Sequence, residues 1–178
     1  MRRKWDAVEA TSGAEGIKAA FVATEGDVEQ FMEGVYDLGL AAHAEPTLLN
    51  SPEVDNFLQR SAEDLRSFDG DIHRFIKNLS SWLHRQEWGS VYFDPSYVWL
   101  CACRERSSIE FLFELYRGTA FEEYFHFLLE DSGFVEGIDE EILRPKAAED
   151  GIIKDEDRPA AMPRSHWWWW PDEIESPA

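Results

Sequence analysis

Apolar side chains recur at helical spacing in three stretches of the first half of the chain. In DVEQFMEGVYDLGLAAHA, positions Val28, Phe31, Met32, Val35, Tyr36 and Leu38 to Leu40 share one side of a helix. Asp27 suits the N-cap, where a carboxylate accepts from backbone N–H groups that the first turn leaves without partners, and Glu45-Pro46 ends the element. NSPEVDNFLQRSAEDLRSF predicts a second helix, with Ser51 as cap, Pro52 in the first turn, and Val54, Phe57, Leu58 and Leu65 turned inward. Asp69-Gly70-Asp71 is a break. DIHRFIKNLSSWLHRQEW follows as a third helix with the stripe Ile72, Phe75, Ile76, Leu79, Trp82 and Leu83, stopped by Gly89. Ahead of these, IKAAFVAT (17–24) reads as a short strand or as a lead-in to the next helix.

Periodicity is less decisive after residue 89. SVYFD has strand composition, and PSYVWLCACRER starts on the helix-opening pair Asp94-Pro95 but is rich in β-formers. A fully buried strand and a fully buried helix look alike here. Ser107-Ser108-Ile109-Glu110 and Thr119-Ala120-Phe121-Glu122 both match the capping box, which predicts helices starting at each. The first also alternates as a hairpin strand would, with Ile109, Phe111, Phe113 and Leu115 opposite Glu110 and Glu114. IDEEILRP adds a short helix. The fold class is therefore mainly α: one compact helical domain over 1–145, the alternative being α+β with a small sheet from 17–24 and 90–103. From 146 to 178 the periodicity stops, and Pro159, Pro163, Pro171 and Pro177 predict an extended, acidic, proline-rich tail.

The tail holds four consecutive tryptophans, Trp167 to Trp170. Four in a row cannot share one helix face, and in an extended chain they alternate, two to each side. Such a segment can close over its own domain, dock against another protein, or anchor at a lipid interface; acids around it oppose the last on anionic lipid. Closure over its own core is the plainer of these, and contact with a partner is the functional one, because Trp is enriched at binding hot spots. Ile152 and Ile153 are further anchors for the tail.

Charge changes the picture most. The formal net charge is −19 at pH 7. That field repels nucleic acids and anionic membranes and speeds encounter with cationic surfaces. The bland explanation, solubility alone, applies to many acidic proteins. MRRKWDAVEATSG starts with basic residues but lacks the apolar stretch of a secretion signal, and no long apolar span is present, so a cytoplasmic setting is expected. Cys101 and Cys103 are too close in sequence for ordinary disulfide geometry and read as small apolar fillers.

No phosphate loop, dinucleotide fingerprint, nucleophile elbow or zinc-protease motif is present. Glu123 and His126 match Glu-x-x-His, but a di-metal bundle needs a second copy and further carboxylates, so no metal and no cofactor is expected. His73 and His84 share a helix face, and with Asp69 or Asp71 they suggest acid–base chemistry; boundary histidines are the plainer reading. The expectation that follows is a non-enzymatic, acidic binding protein that neutralises a basic partner protein. Its concrete form is a toxin-neutralising (immunity or antitoxin) protein or an inhibitor of a nucleic-acid-handling enzyme. The expected contact residues are Trp167, Trp168, Trp169, Trp170, Asp139, Glu140, Glu141, Asp172 and Glu173. The alternatives are a small enzyme or ligand-binding domain with a His/acid pocket, and a structural oligomer subunit with a swapped tail.

Overall fold

The computed structural model describes residues 3–23, 26–48, 51–85, 95–122, 133–143, 154–170 and 173, and six α-helices carry most of the regular structure among them. Helix α1 runs Arg3–Val22, so 17–22 is the end of a helix and not a strand. Helix α2 is Val28–Ala44, capped as its sequence predicts by Asp27, whose carboxylate accepts from Gln30 N at 2.9 Å. Between them Gly26 takes φ +65°, a left-handed turn that a side chain would strain, and the Phe68 ring lies over it. Phe21, Phe31 and Phe68 meet there with ring centroids 5.0–5.6 Å apart.

The α1–α2 hairpin is close because glycine faces glycine. A Cβ on Gly34 would stand 2.7 Å from Gly13 O and 2.8 Å from Ile17 N, so neither helix backbone has room for one. Helix α3, Pro52–Asp64, starts with Ser51 accepting from Val54 N, and it buries Leu58 and Ala62. A 3-10 turn at Leu65–Ser67 leads directly into α4, Asp69–His84. Asp69-Gly70-Asp71, expected as a break, is instead the first turn of α4, and the junction falls at 65–68. Ile72, Ile76, Leu79 and Leu83 are buried, while Phe75 and Trp82 pack partly against them. Gly89, expected to stop this helix, lies outside the described residues; α4 itself ends at His84.

Helix α5, Pro95–Leu115, corrects the ambiguous region. It is one continuous helix through both 95–103 and 109–115, and among the described residues there is no strand. Its apolar side chains hid their period because they are buried nearly all round: Val98, Trp99, Ala102, Cys103, Ile109, Phe111, Leu112 and Phe113. α5 packs on α2, where the Phe111 ring sits in the space a Cβ on Gly39 would take. The buried Tyr116 just beyond α5 shares a 2.9 Å hydrogen bond with Ser61 of α3. Helix α6, Phe134–Leu143, lies along α4 and buries Val135, Ile138 and Ile142. Among the described residues no helix is long and apolar enough to cross a membrane.

The described part of the tail closes over this body. It contains 3-10 turns at Asp155–Asp157 and Trp167–Trp169 and buries Met162, His166, Trp168 and Trp169. The tryptophan run is therefore not extended. Backbone bonds from His166 N to Pro163 O, Trp169 N to His166 O and Trp170 N to Trp167 O wind it into a tight turn. Trp168 and Trp169 both point inward, and Trp167 and Trp170 are half-buried at the rim.

Candidate functional site

One face of α5 is built to receive the tail. Trp99, Cys103, Ser107 and Phe111 are spaced four apart and so form a single stripe. Trp99 Nε1 and Cys103 Sγ donate to the carbonyl of Trp168, at 3.4 and 3.3 Å. The Trp168 indole answers by donating to Cys103 O at 3.1 Å and to Ser107 Oγ at 2.9 Å. Trp169 Nε1 donates to the same hydroxyl at 2.9 Å. Ser107 therefore does not cap a helix; the capping-box pattern falls inside α5, and its side chain serves the tail.

The hydroxyl count fixes the protonation of His166. Two indole donors occupy both acceptor positions of Ser107 Oγ, so its own hydrogen goes to His166 Nδ1 at 3.0 Å, with Met162 Sδ at 3.8 Å. His166 is then neutral with its proton on Nε2. The ring is fully buried, 4.5 Å from Phe111 and stacked 4.8 Å from Trp168. Nε2 has no hydrogen-bond partner among the described residues and faces Glu114 Oε1 at 4.0 Å. Burial first, with the charges of Arg106 and His43 adding and Glu114 opposing, lowers its pKa to about 4. Burial pushes the Glu114 carboxyl up, but the 2.8 Å bond from His43 Nε2 and the neighbouring His166 and Arg117 outweigh this and hold it below its ordinary value.

Ser107, His166 and Glu114 are ordered like a nucleophile, base and acid. Yet the serine is fully buried and its oxygen already accepts two N–H groups, so as arranged this is a docking network. Cys103 is equally committed: burial pushes its thiol well up, and its hydrogen is held by the Trp168 carbonyl.

Most of the expected contact residues are turned to internal use. Trp168 and Trp169 are core side chains. Asp139 accepts from the buried Arg106 at 2.8 and 3.4 Å; Arg106 also reaches Glu110 at 3.0 Å and lies 4.3 Å over the Trp168 ring. Glu141 is buried and pairs with His84 at 2.8 Å. Glu173 takes both oxygens to Arg164, at 2.7 and 2.8 Å, and Arg164 in turn stacks on Trp170 at 4.5 Å. Glu140 is exposed, Trp167 sits half-buried against Trp168, and Asp172 lies outside the described residues. Asp139 and the tryptophan turn are joined through Arg106, and α6 packs against that turn.

His73 and His84, both on α4, face α6. His73 meets Phe134 at 5.7 Å and His84 meets Glu141, so both do face one way, but the groove beside His84, lined by Ser80, Ser81, Arg85, Gly137, Glu140 and Glu141, does not include His73. Among the described residues no three His, Cys, Asp or Glu side chains are grouped to hold a metal ion; Glu123 and His126 lie outside them.

A different face of α5 floors a groove of about 530 Å³ between α2 and α4. Val28, Met32, Phe75, Leu79 and Trp82 give it apolar walls, and Glu29, Glu33, Asp71 and Glu105 line it with carboxylates. Its two guanidiniums are already paired, Arg104 with Glu33 at 2.8 Å and Arg74 with Asp71 at 3.1 Å. Glu29 and Glu105 have no ion pair among the described residues. Burial first, then the charge of Glu29, pushes the Glu105 carboxyl up to about 7 against the pull of Arg104. Sequence reading missed this pair because the two acids sit on helices far apart in the chain, each in an ordinary helical context. No family model, curated protein or solved structure matches the chain.

Proposed function

We propose that this chain is an acidic binding protein that covers a cationic surface of another protein, the toxin-neutralising role being its concrete form. The observation that carries the reading is the α2–α4–α5 groove, where apolar walls surround two carboxylates that no cation among the described residues pairs with. A positive side chain entering there gains charge pairing close to low-dielectric walls, and the aromatic edges of Phe75 and Trp82 add contact area that slows departure. The excess negative charge of the whole chain supports the same reading through faster encounter with a basic protein.

The test starts with purification of a partner from the native cell at low salt and continues with the two purified proteins. The reading expects a basic partner whose affinity falls as salt rises and falls again on Glu29→Gln. A captured partner with no cationic surface, or one bound equally well by the groove variant, overturns it.

A further inference from the structure

We propose that the α2–α4–α5 groove seats a single guanidinium or ammonium side chain of the partner, placed between Glu29 and Glu105 with its stem along Trp82 and Phe75. This deepens the reading above and rests on it. The groove is lined by charged side chains from each helix, Glu29 and Glu33 from α2, Asp71 and Arg74 from α4, Arg104 and Glu105 from α5, with the Cys101 thiol beside them. Arg104 holds Glu33 and lies over the Tyr36 ring, 5.0 Å from its centre, and its charge also acts on Glu105. Arg74 is engaged by Asp71 on its own helix. The groove carboxylates without an ion pair among the described residues are Glu29 at the first turn of α2 and the half-buried Glu105 on the floor, beside an aliphatic and aromatic wall against which the stem of Arg or Lys can lie.

The seat has a proton-linked signature. In the empty groove Glu105 keeps a proton up to about pH 7, because burial and Glu29 both disfavour its charge. An arriving cation reverses that balance, the carboxyl ionises, and the proton leaves to solvent. Binding then tightens with rising pH, by about tenfold between pH ~6 and ~8, and releases about half a proton near pH 7.

The experiment is calorimetric titration of the full chain with a short oligo-arginine peptide, at several pH values and in two buffers of different ionisation enthalpy. Glu105→Gln, Glu29→Gln and, as a charge-matched control on the exposed side of α3, Glu63→Gln are compared with the parent. The expected result is a tenfold pH effect and proton release in the parent, both abolished by Glu105→Gln, with affinity reduced by Glu29→Gln and unchanged by Glu63→Gln beyond the small general loss of charge. Groove-dependent binding in which Glu105→Gln keeps the full pH slope overturns the seat and leaves the binding function standing. If the three variants bind alike, or the parent binds no cationic peptide, the groove reading itself fails.

Discussion

Replacing His166 with asparagine should remove most of the acid sensitivity contributed by the tail. The ring is fully buried and neutral, with its pKa lowered from 6.5 to about 4, while an unfolded chain titrates near the ordinary value. Between those values the unfolded state binds more protons, so stability contributed by a neutral His166 is present at neutral pH and is lost as pH falls. At about 1.4 kcal/mol per pH unit, the loss reaches about 2 kcal/mol by pH ~5 and about 3 kcal/mol by pH ~4. Glu105 works in the opposite direction. Its raised pKa makes the folded state hold a proton that the unfolded state releases, so acidification from about pH 7 toward its ordinary value of 4.5 adds stability. The parent protein's own pH profile therefore mixes two terms of similar size, and a flat profile says nothing about either group.

The comparison isolates one of them. In the His166→Asn variant the new side-chain oxygen stands near the place of Nδ1 and still accepts from Ser107, but nothing there titrates. Glu105 and the remaining groups are common to both proteins. Chemical denaturation at a series of pH values should show the variant less stable at pH ~7.5, since it loses ring packing against Phe111 and Trp168. That gap should then shrink by about 2 kcal/mol at pH ~5, before Glu114, held below its ordinary value, begins to protonate. A gap that stays constant from neutral pH down to this point would refute the assignment of His166 as a buried neutral ring bonded to Ser107.

Ser107→Ala leaves Trp169 Nε1 without its acceptor while Trp168 keeps Cys103 O, and should cost about 1–3 kcal/mol in chemical denaturation. Trp168→Ala empties the centre of the dock; a loss of about 3–5 kcal/mol is expected, with faster tryptic cleavage after Arg164 at protease concentrations where the parent resists. Gly34→Ala should be destabilising by at least about 1–3 kcal/mol because the two closest contacts are backbone of α1, whereas Gly70→Ala, with nothing within 4 Å, should stabilise by about 0.4–1 kcal/mol; thermal melts of the pair decide this. In the native protein a thiol reagent should modify the half-buried Cys101 and spare Cys103, which becomes reactive only on unfolding.

The legible helices are those with one dry face. α2, α3 and α4 show their stripes and caps because a wet face alternates with a buried one, and Asp27 and Ser51 make the bonds their positions suggest. α5 was not legible for the opposite reason. It touches α2, α4, α6 and the tail, so apolar residues occur all round it and the helical period is lost. Ser107-Ser108-Ile109-Glu110 has the pattern of a helix start, but the same residue types serve inside a helix when a hydroxyl is needed by an indole. The signal that was present is the four-residue spacing of Trp99, Cys103, Ser107 and Phe111, a stripe interrupted by two small polar groups as a docking face requires. For the tail, the proline content marked the end of long helices, but the 3-10 turn that sends adjacent tryptophans inward depends on bonds accepted by the carbonyls of Pro163 and His166 that no period encodes.

The dock and the groove use different faces of the same helix, and this governs how experiments on the tail are interpreted. Trp99, Cys103 and Ser107 hold the tail; Cys101, Arg104, Glu105 and Ser108 floor the groove. Removing the tail exposes the buried stripe, leaves Arg106 without the Trp168 ring beneath it, and frees α5 to move relative to α2 and α4. The position of Glu105 opposite Glu29 follows from that packing. Loss of partner binding after truncation at residue 164 is therefore expected even if no tryptophan touches the partner, and does not identify the run as a contact surface. A direct role for the indoles would instead show in Trp167→Ala, at the half-buried rim, if it weakened binding while leaving the unfolding transition where it was.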